Sequence, residues 1–415
     1  AAFSNDKWIA KDATATYSSE ACPLNGKYTL IPDPNFEKIL IAKNIDIDGE
    51  NGKVLTSSIE KVTYLDVTDS TLKVSDLTGI QDFKNLSTLY CSSNNLTSLD
   101  LSKNLNLEIV GLSRNKLTSI DLSANTNLTS VSLSNNEIAS LDLSKNVNLV
   151  TLDCSSNKLT SLNLSKNTAL KSLDASINEL TSIDLSANIN LTRFAASSNQ
   201  FSAIELSKNT ALETISLYNN KLNDLNIAKN VNLTNLTVSK NLLTSIDLSN
   251  NSSLKTIDIA ENKLTNLDFS KNPLLVTIFA SKNELESLNI SNNVLLTSIH
   301  LQNNKLTALD VSTNKVLSTA FLYNNALTSF DITKNPELNT LDLDSNQLTS
   351  LNLKNGKNNS MTTFTVRLNS KLTCILVDDV AYSNTNWSSN KDAIATYNTE
   401  CTGELVLASN NFTVE

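Results

Sequence analysis

The sequence predicts an all-β-dominated repeat solenoid, and three observations carry that expectation. Residues 86–104 write one nine-residue pattern twice: Leu86, Leu89, Cys91 and Asn94 stand at offsets 0, 3, 5 and 8, and Leu96, Leu99, Leu101 and Asn104 repeat them. The pair recurs with a period of 21, so that one Asn column runs from Asn94 to Asn346 and another from Asn104 to Asn335. Self-similarity of this kind marks a stack of small units that bury their apolar faces only against one another. Each half-copy has ten or eleven residues, too few for a useful helix plus turns, while Leu-x-Leu alternation is the strand signal. Every coil should therefore hold two short parallel strands joined by turns.

Energetics explain why the units come in an array. The inward residues of one coil contribute roughly 1.5 to 3 kcal/mol each when buried. Ordering its backbone costs about 1 to 2 kcal/mol per residue. A lone coil cannot fold, and stacking decides the balance.

The elements follow in chain order. Ser4 to Cys22 matches Ser383 to Cys401 through Trp8/Trp387, Lys11-Asp12/Lys391-Asp392 and Tyr17/Tyr397. The second copy follows the last repeat and reads as a C-terminal cap. Residues 1–31 then read as the remnant of a preceding module's cap and linker, with chance similarity of two polar tails as the alternative. Residues 32–85 are expected to form an N-terminal cap with a first degenerate repeat (Val62, Leu65, Val67). Within it, Asp33 to about Asn44 reads as a short helix, since Pro34 suits a first turn and Phe36, Ile39, Leu40 and Lys43 keep helical spacing. Such a helix would cover the open end of the first coil. Asp46 to Gly52 resembles a calcium loop, but Ser57 stands where a bidentate acid is expected, which favours a plain turn.

The array proper spans 86–373. A two-residue insertion falls near Asn355-Gly356, and the pattern resumes at Met361, Phe364, Val366 and Asn369. The offset-8 Asn residues are polar where the chain turns into the core. Buried amides there need partners, and a ladder of bonds to backbone groups of the same and adjacent coils would supply them. Because every coil has them, they read as structural and not as ligands. A C-terminal cap is expected over 374–401, and 402–415 as the start of a linker or next module.

The pattern Leu-x-x-Leu-x-Leu-x-x-Asn resembles the leucine-rich repeat motif over roughly residues 62 to 377. The nested 21-residue form is similar to the bacterial class called IRREKO, and the leading segment to internalin-like surface proteins. The resemblance implies a secreted or cell-surface bacterial binding module. It implies no catalytic residue and no particular partner.

Composition narrows the function. The chain has 415 residues and a net charge of -9, which argues against nucleic acid, whose recognition needs clustered Lys and Arg. No apolar run approaches the roughly 18 residues of a membrane span. A monomer within a larger multi-module chain is expected. Cys91 and Cys154 occupy the same inward site three coils apart, out of disulfide reach, and read as buried thiols. Cys374 and Cys401 bracket the C-terminal cap and are expected to pair; Cys22 would have paired upstream.

Outward positions are where function can be sought, because packing does not dictate them. The second-strand column is monotonously acidic or amide (Asp100, Asp121, Asp142, Asn163, Asp184 and onward), with Lys residues such as Lys103 and Lys145 three positions on. It reads as a solvated, Lys-balanced face. The first-strand column varies, from Tyr90 and Gly111 through Asp153 and Asp258 to Phe279, His300, Phe321 and Asp342. Phe279, His300 and Phe321 are consecutive, Gln302 and Tyr323 lie two residues along, and Tyr218 and Arg193 are nearer the middle. These seven are the candidate ligand residues, since an exposed aromatic row suits stacking on a sugar or anchoring a protein. Aromatic pairing that merely stabilises the sheet is the competing reading.

The sole histidine has no acid or nucleophile beside it in sequence, no phosphate-cradling loop occurs, and no Cys/His metal spacing exists. The expectation is a non-catalytic module without cofactor or metal, binding a host or environmental protein or glycan on the first-strand sheet. The alternative is a spacer in a tandem adhesin, a rod on the order of 60 Å for roughly 13 coils.

Overall fold

A computed structural model describes residues 26–68 and 71–401. The repeats wind into a parallel solenoid whose main feature is a 15-stranded sheet, from Tyr64–Asp66 to Thr363–Thr365, with one three-residue strand per coil. Neighbouring strands pair in register, so each repeat position becomes a straight column: Asp258 pairs Phe279, Phe279 pairs His300, and His300 pairs Phe321. Inward Leu, Ile, Val and Phe side chains form one continuous buried core from Ile31 to Tyr397. Cys91 and Cys154 fill Leu sites in it, and burial pushes both thiols upward in pKa.

The second half-copy is more economical in strand. A ladder forms there only among Ser329–Asp331, Ser350–Asn352, Cys374–Leu376 and Thr396–Asn398. Upstream, the Asp268–Asn289 bridge is the pairing seen among the described residues. The acidic column forms turns with and without a ladder, since Asp331 and Asn352, which end paired strands, accept the Thr333 and Lys354 N–H groups. Asp100 accepts the Ser102 backbone N–H at 2.8 Å, and Asp121 and Asp142 do the same to Ser123 and Ser144. An Asx turn thus closes each segment, and these hydrogen bonds hold the exposed carboxyls below their usual pKa. The Asp or Asn at this site is a turn former first. Two tight turns follow, with Asn104 N–H donating to Leu101 and Leu107 N–H donating to Asn104.

The two Asn columns are unequal. Asn115 Nδ2 donates to Cys91 O at 2.9 Å and Leu112 O at 3.0 Å, while its Oδ1 accepts Leu96 N–H at 3.0 Å. Both ends of the amide are used, as expected. In the other column Asn125 Nδ2 donates to Leu101 O and Asn104 O, but the buried Oδ1 has no partner, and this recurs from Asn104 to Asn335. Full satisfaction therefore holds in one column and half of it in the other.

Both ends are covered. Asp33 caps the helix Pro34–Ala42 through the Asn35 and Phe36 N–H groups, and its other oxygen accepts from Ser75 and Asp76. Phe36 packs on Phe83 with centroids 6.4 Å apart. The segment Tyr28–Leu30 pairs antiparallel with Lys53–Leu55, and Ile31 is buried, so residues 28–31 pack with the N-terminal cap and not as a linker before it. Glu37 accepts the N–H groups of Asn51, Gly52 and Lys53, which makes the Asp46–Gly52 segment a turn folded around that carboxylate.

At the other end Cys374 and Cys401 are disulfide-bonded, with Cα atoms 6.0 Å apart. The helix Val380–Asn386 leads to a buried Trp387 in contact with Phe364, Tyr382 and Tyr397. Asp392 accepts the N–H groups of Leu368 and Asn369. The residues shared with the amino-terminal segment are thus the ones that build this cap. Their counterparts Trp8, Asp12, Tyr17 and Cys22, and residues 402–415, lie outside the described residues.

Candidate functional site

The first-strand sheet presents three outward columns, and their contents change along its length. Beyond the strand end, the column from Ser92 to Ser197 is serine in six successive coils, then reads Tyr218, Ser239, Ala260, Ser281, Gln302 and Tyr323. The on-strand column changes in the same region to Asp258, Phe279, His300 and Phe321.

Phe279 and His300 have centroids 4.5 Å apart with planes 32° from parallel, and His300 and Phe321 are 5.0 Å apart at 29°. Two rings cannot lie edge to edge at such separations, so their faces meet. The row is a stack along the sheet axis, and both faces of His300 are covered. The in-register 21-residue repeat sets the rings one strand spacing apart, which is van der Waals stacking distance, so the row pairs with itself as well as facing outward. His300 is half-buried, which lowers its pKa and favours the neutral ring, and its Nε2 lies 3.0 Å from Ser298 Oγ. A serine–histidine pair alone is not a hydrolytic centre; catalysis needs an orienting group on the second ring nitrogen, and His300 shows no carboxylate partner among the described residues.

On the amino-terminal side of the stack lies an open trough of about 410 Å³. Phe279 and Gln302 bound one side and Tyr218 the other, with Thr237, Ser239 and Ala260 as the floor. Tyr218 and Phe279 stand three strands apart, roughly 14 Å along the sheet. Asp258 accepts the Ser239 hydroxyl at 2.6 Å, and Glu261 pairs with Lys282 at 3.1 Å on the rim. Lys240 lies over the Tyr218 ring at 5.8 Å. The Gln302 side-chain oxygen is buried with no hydrogen-bond partner.

The structure brings together four of the seven candidates: Tyr218, Phe279, His300 and Gln302. Phe321 backs His300, and Tyr323 follows it on the far side of the stack. Arg193 is exposed on its strand four strands from Phe279, roughly 19 Å away, and does not line the trough. Sequence reasoning missed Ser239, Ala260 and Glu261. The signal for the floor was present as a run of small residues between two aromatic positions, but small residues attract no attention in a Ser-rich repeat. Among the described residues no group of three His, Cys, Asp or Glu side chains is placed to hold a metal, and no helix is long and apolar enough to cross a membrane.

The Leu-lined interior, the Asn ladder and one sheet strand per coil define a leucine-rich repeat solenoid. It is similar to the functional domain of InlJ from Listeria monocytogenes, described as including a cysteine ladder, with 29% identity over 86% of this chain and 78% of that one and a TM-score of 0.76. A leucine-rich repeat protein of Leptospira interrogans (22% identity, 83% and 97% covered, TM-score 0.63) shares the fold. So does the internalin InlF of Listeria monocytogenes (23%, 84% and 96%, 0.63). Among the described residues the two free cysteines, Cys91 and Cys154, stand three coils apart and form no ladder. No family model matches the sequence, and no curated protein matches it.

Proposed function

We propose that this array is a non-catalytic recognition module, secreted by or displayed on a bacterium, that binds a protein or glycan on the carboxy-terminal half of its long sheet. The observation that carries the reading is the trough between Tyr218 and the Phe279 stack, floored by small residues. Its volume falls within the roughly 300–1,000 Å³ of small-ligand clefts. The Cys374–Cys401 disulfide supports an oxidising, exported setting. The likeness to internalin-type solenoids supports a binding role and offers no catalytic constellation to transfer. The test is an array of glycans and extracellular proteins incubated with the purified chain and with the Phe279→Ala/Phe321→Ala variant. Partners of the native chain should be lost by the variant; partners kept in full would remove this face.

The second reading is a spacer in a larger adhesin. It is favoured by the stacked rings, which cover one another and so stabilise the sheet without any ligand. Under it, adhesion by the parent protein tracks the number of coils and is indifferent to both phenylalanines.

A further inference from the structure

We infer that the occupant of the trough is an uncharged carbohydrate, stacked by one sugar face on Phe279 and hydrogen-bonded through its hydroxyls to Asp258 and Gln302. This rests on the recognition reading above and specifies its ligand. Ring accessibility is the first argument. His300 is covered on both faces, so the end face of the stack turned toward the trough is that of Phe279, on the side where Thr237 and Asp258 leave room. A pyranose presents an apolar face of C–H groups to such a ring and hydroxyls around its edge.

The second argument is charge. The charged groups around the trough are two acids, Asp258 and Glu261, and two lysines, Lys240 and Lys282, while burial favours the neutral form of His300 beside them. Glu261 is paired with Lys282, and Lys240 lies against Tyr218. The four charges sum to zero, which gives the trough no net attraction for a cationic side chain or an acidic sugar, and the Tyr218 face where a cation would settle already has one.

Hydrogen-bond capacity is the third. Asp258 takes the Ser239 hydroxyl and, at 3.3 Å, the Ala260 N–H, and keeps further lone pairs toward the trough. The Gln302 oxygen at the trough wall has no partner. Both are acceptors, and a hydroxyl-rich ligand supplies the donors they lack. A protein partner reading the same face through a basic side chain is the competing chemistry.

The experiment is saturation-transfer NMR and calorimetric titration of the whole chain with cellobiose, lactose, maltotriose and diacetylchitobiose. Sialyllactose and an Arg/Lys peptide serve as charged comparators. At least one neutral sugar should bind, weakened about tenfold or more by Phe279→Ala and by Ala260→Trp, which fills the floor while leaving the stack intact. Ser155→Trp, at the same repeat position five coils earlier, should leave affinity unchanged, and thermal melts establish that each variant folds. Binding of only the charged comparators, lost in Ala260→Trp, would overturn the uncharged sugar and keep the recognition face. Neutral-sugar binding unaffected by both trough variants would overturn the site. If no neutral sugar binds and no array partner responds to Ala260→Trp, both this inference and the recognition reading fall.

Discussion

The two halves of the long sheet share an interior and differ outside. In the amino-terminal half, serines line the strand ends, and neighbours bond one another, as Ser113 does to Ser132 at 2.7 Å and Ser134 at 3.0 Å. Its aromatic pair, Tyr64 and Tyr90, meets edge to face with centroids 6.0 Å apart, and a Cβ on Gly111 would stand 2.6 Å from the Tyr90 ring, so the edge of that ring leans over the space the glycine leaves. In the carboxy-terminal half, the same small residues sit beside a standing stack, and a trough results. The scaffold supplies straight columns in both halves. What distinguishes them is contrast in side-chain size between adjacent columns, since aromatic residues alone occur at both ends.

The comparison is broken most directly through the core. If the interior is common to both halves, Leu173→Ala and Leu341→Ala, each fully buried on a sheet strand, should cost alike, about 2 to 5 kcal/mol. Urea unfolding followed by circular dichroism measures both. A cost at Leu341 below half that at Leu173 would mean that the halves differ inside as well, and that the trough rests on a softer base.

Charge gives the next effect. His300 is the chain's one histidine, and burial lowers its pKa. The unfolded chain then takes up that proton more readily than the folded one. Stability from the neutral ring is complete above about pH 6.5, the ordinary histidine value, and is lost as pH falls from there through the lowered folded pKa. His300→Phe keeps the stack and should abolish this loss, read as the difference in melting temperature between the two proteins from pH 7 to pH 5. Asp46 in the amino-terminal cap has the opposite sign. Burial pushes its carboxyl up to about 6, so its charged form is disfavoured in the fold and Asp46→Asn should stabilise at pH 7 by about 1 to 3 kcal/mol. An unchanged pH profile in His300→Phe would show that the stack is wetter than its geometry states.

Most of the fold was legible in the sequence because one period governs it. Once Leu86, Leu89, Cys91 and Asn94 fix the register, parallel in-register stacking places every later residue in a column, and Phe279, His300 and Phe321 had to be neighbours. Ring orientation was not legible, since it depends on what each ring meets at one strand spacing. Nor was the acceptor left unused on Asn125 and its column, which depends on the turn following each Asn and not on the residue type. The Asp100 column read as a solvated face because a carboxylate serves equally as surface charge and as Asx-turn acceptor, and composition does not separate the two. Arg193 shares the sheet but stands four strands from Phe279, and a trough three strands wide does not reach it.

The smallest effect concerns a position the repeats hide. Each coil carries a residue of positive φ just before the first Asn column, from Ser93 to Leu368, and none of these is glycine. Asn135 and Asn219 suit that conformation, but Ile177 (φ 55°) is β-branched and 57% exposed, so it bears strain with no burial to offset it. Its N–H donates to Ser197 O and its carbonyl accepts from Asn157, bonds that an asparagine keeps. Ile177→Asn should therefore stabilise the chain by about 0.5 to 1 kcal/mol. In the carboxy-terminal half the same column holds Lys240, Glu261 and Lys282 at the trough rim. Ile177 stands four coils before Glu261, roughly 19 Å away, beyond a one- or two-ring ligand. Unchanged sugar affinity in the stabilised variant would confine recognition to the carboxy-terminal half, whereas a loss would extend the ligand onto the serine half and end the contrast between them.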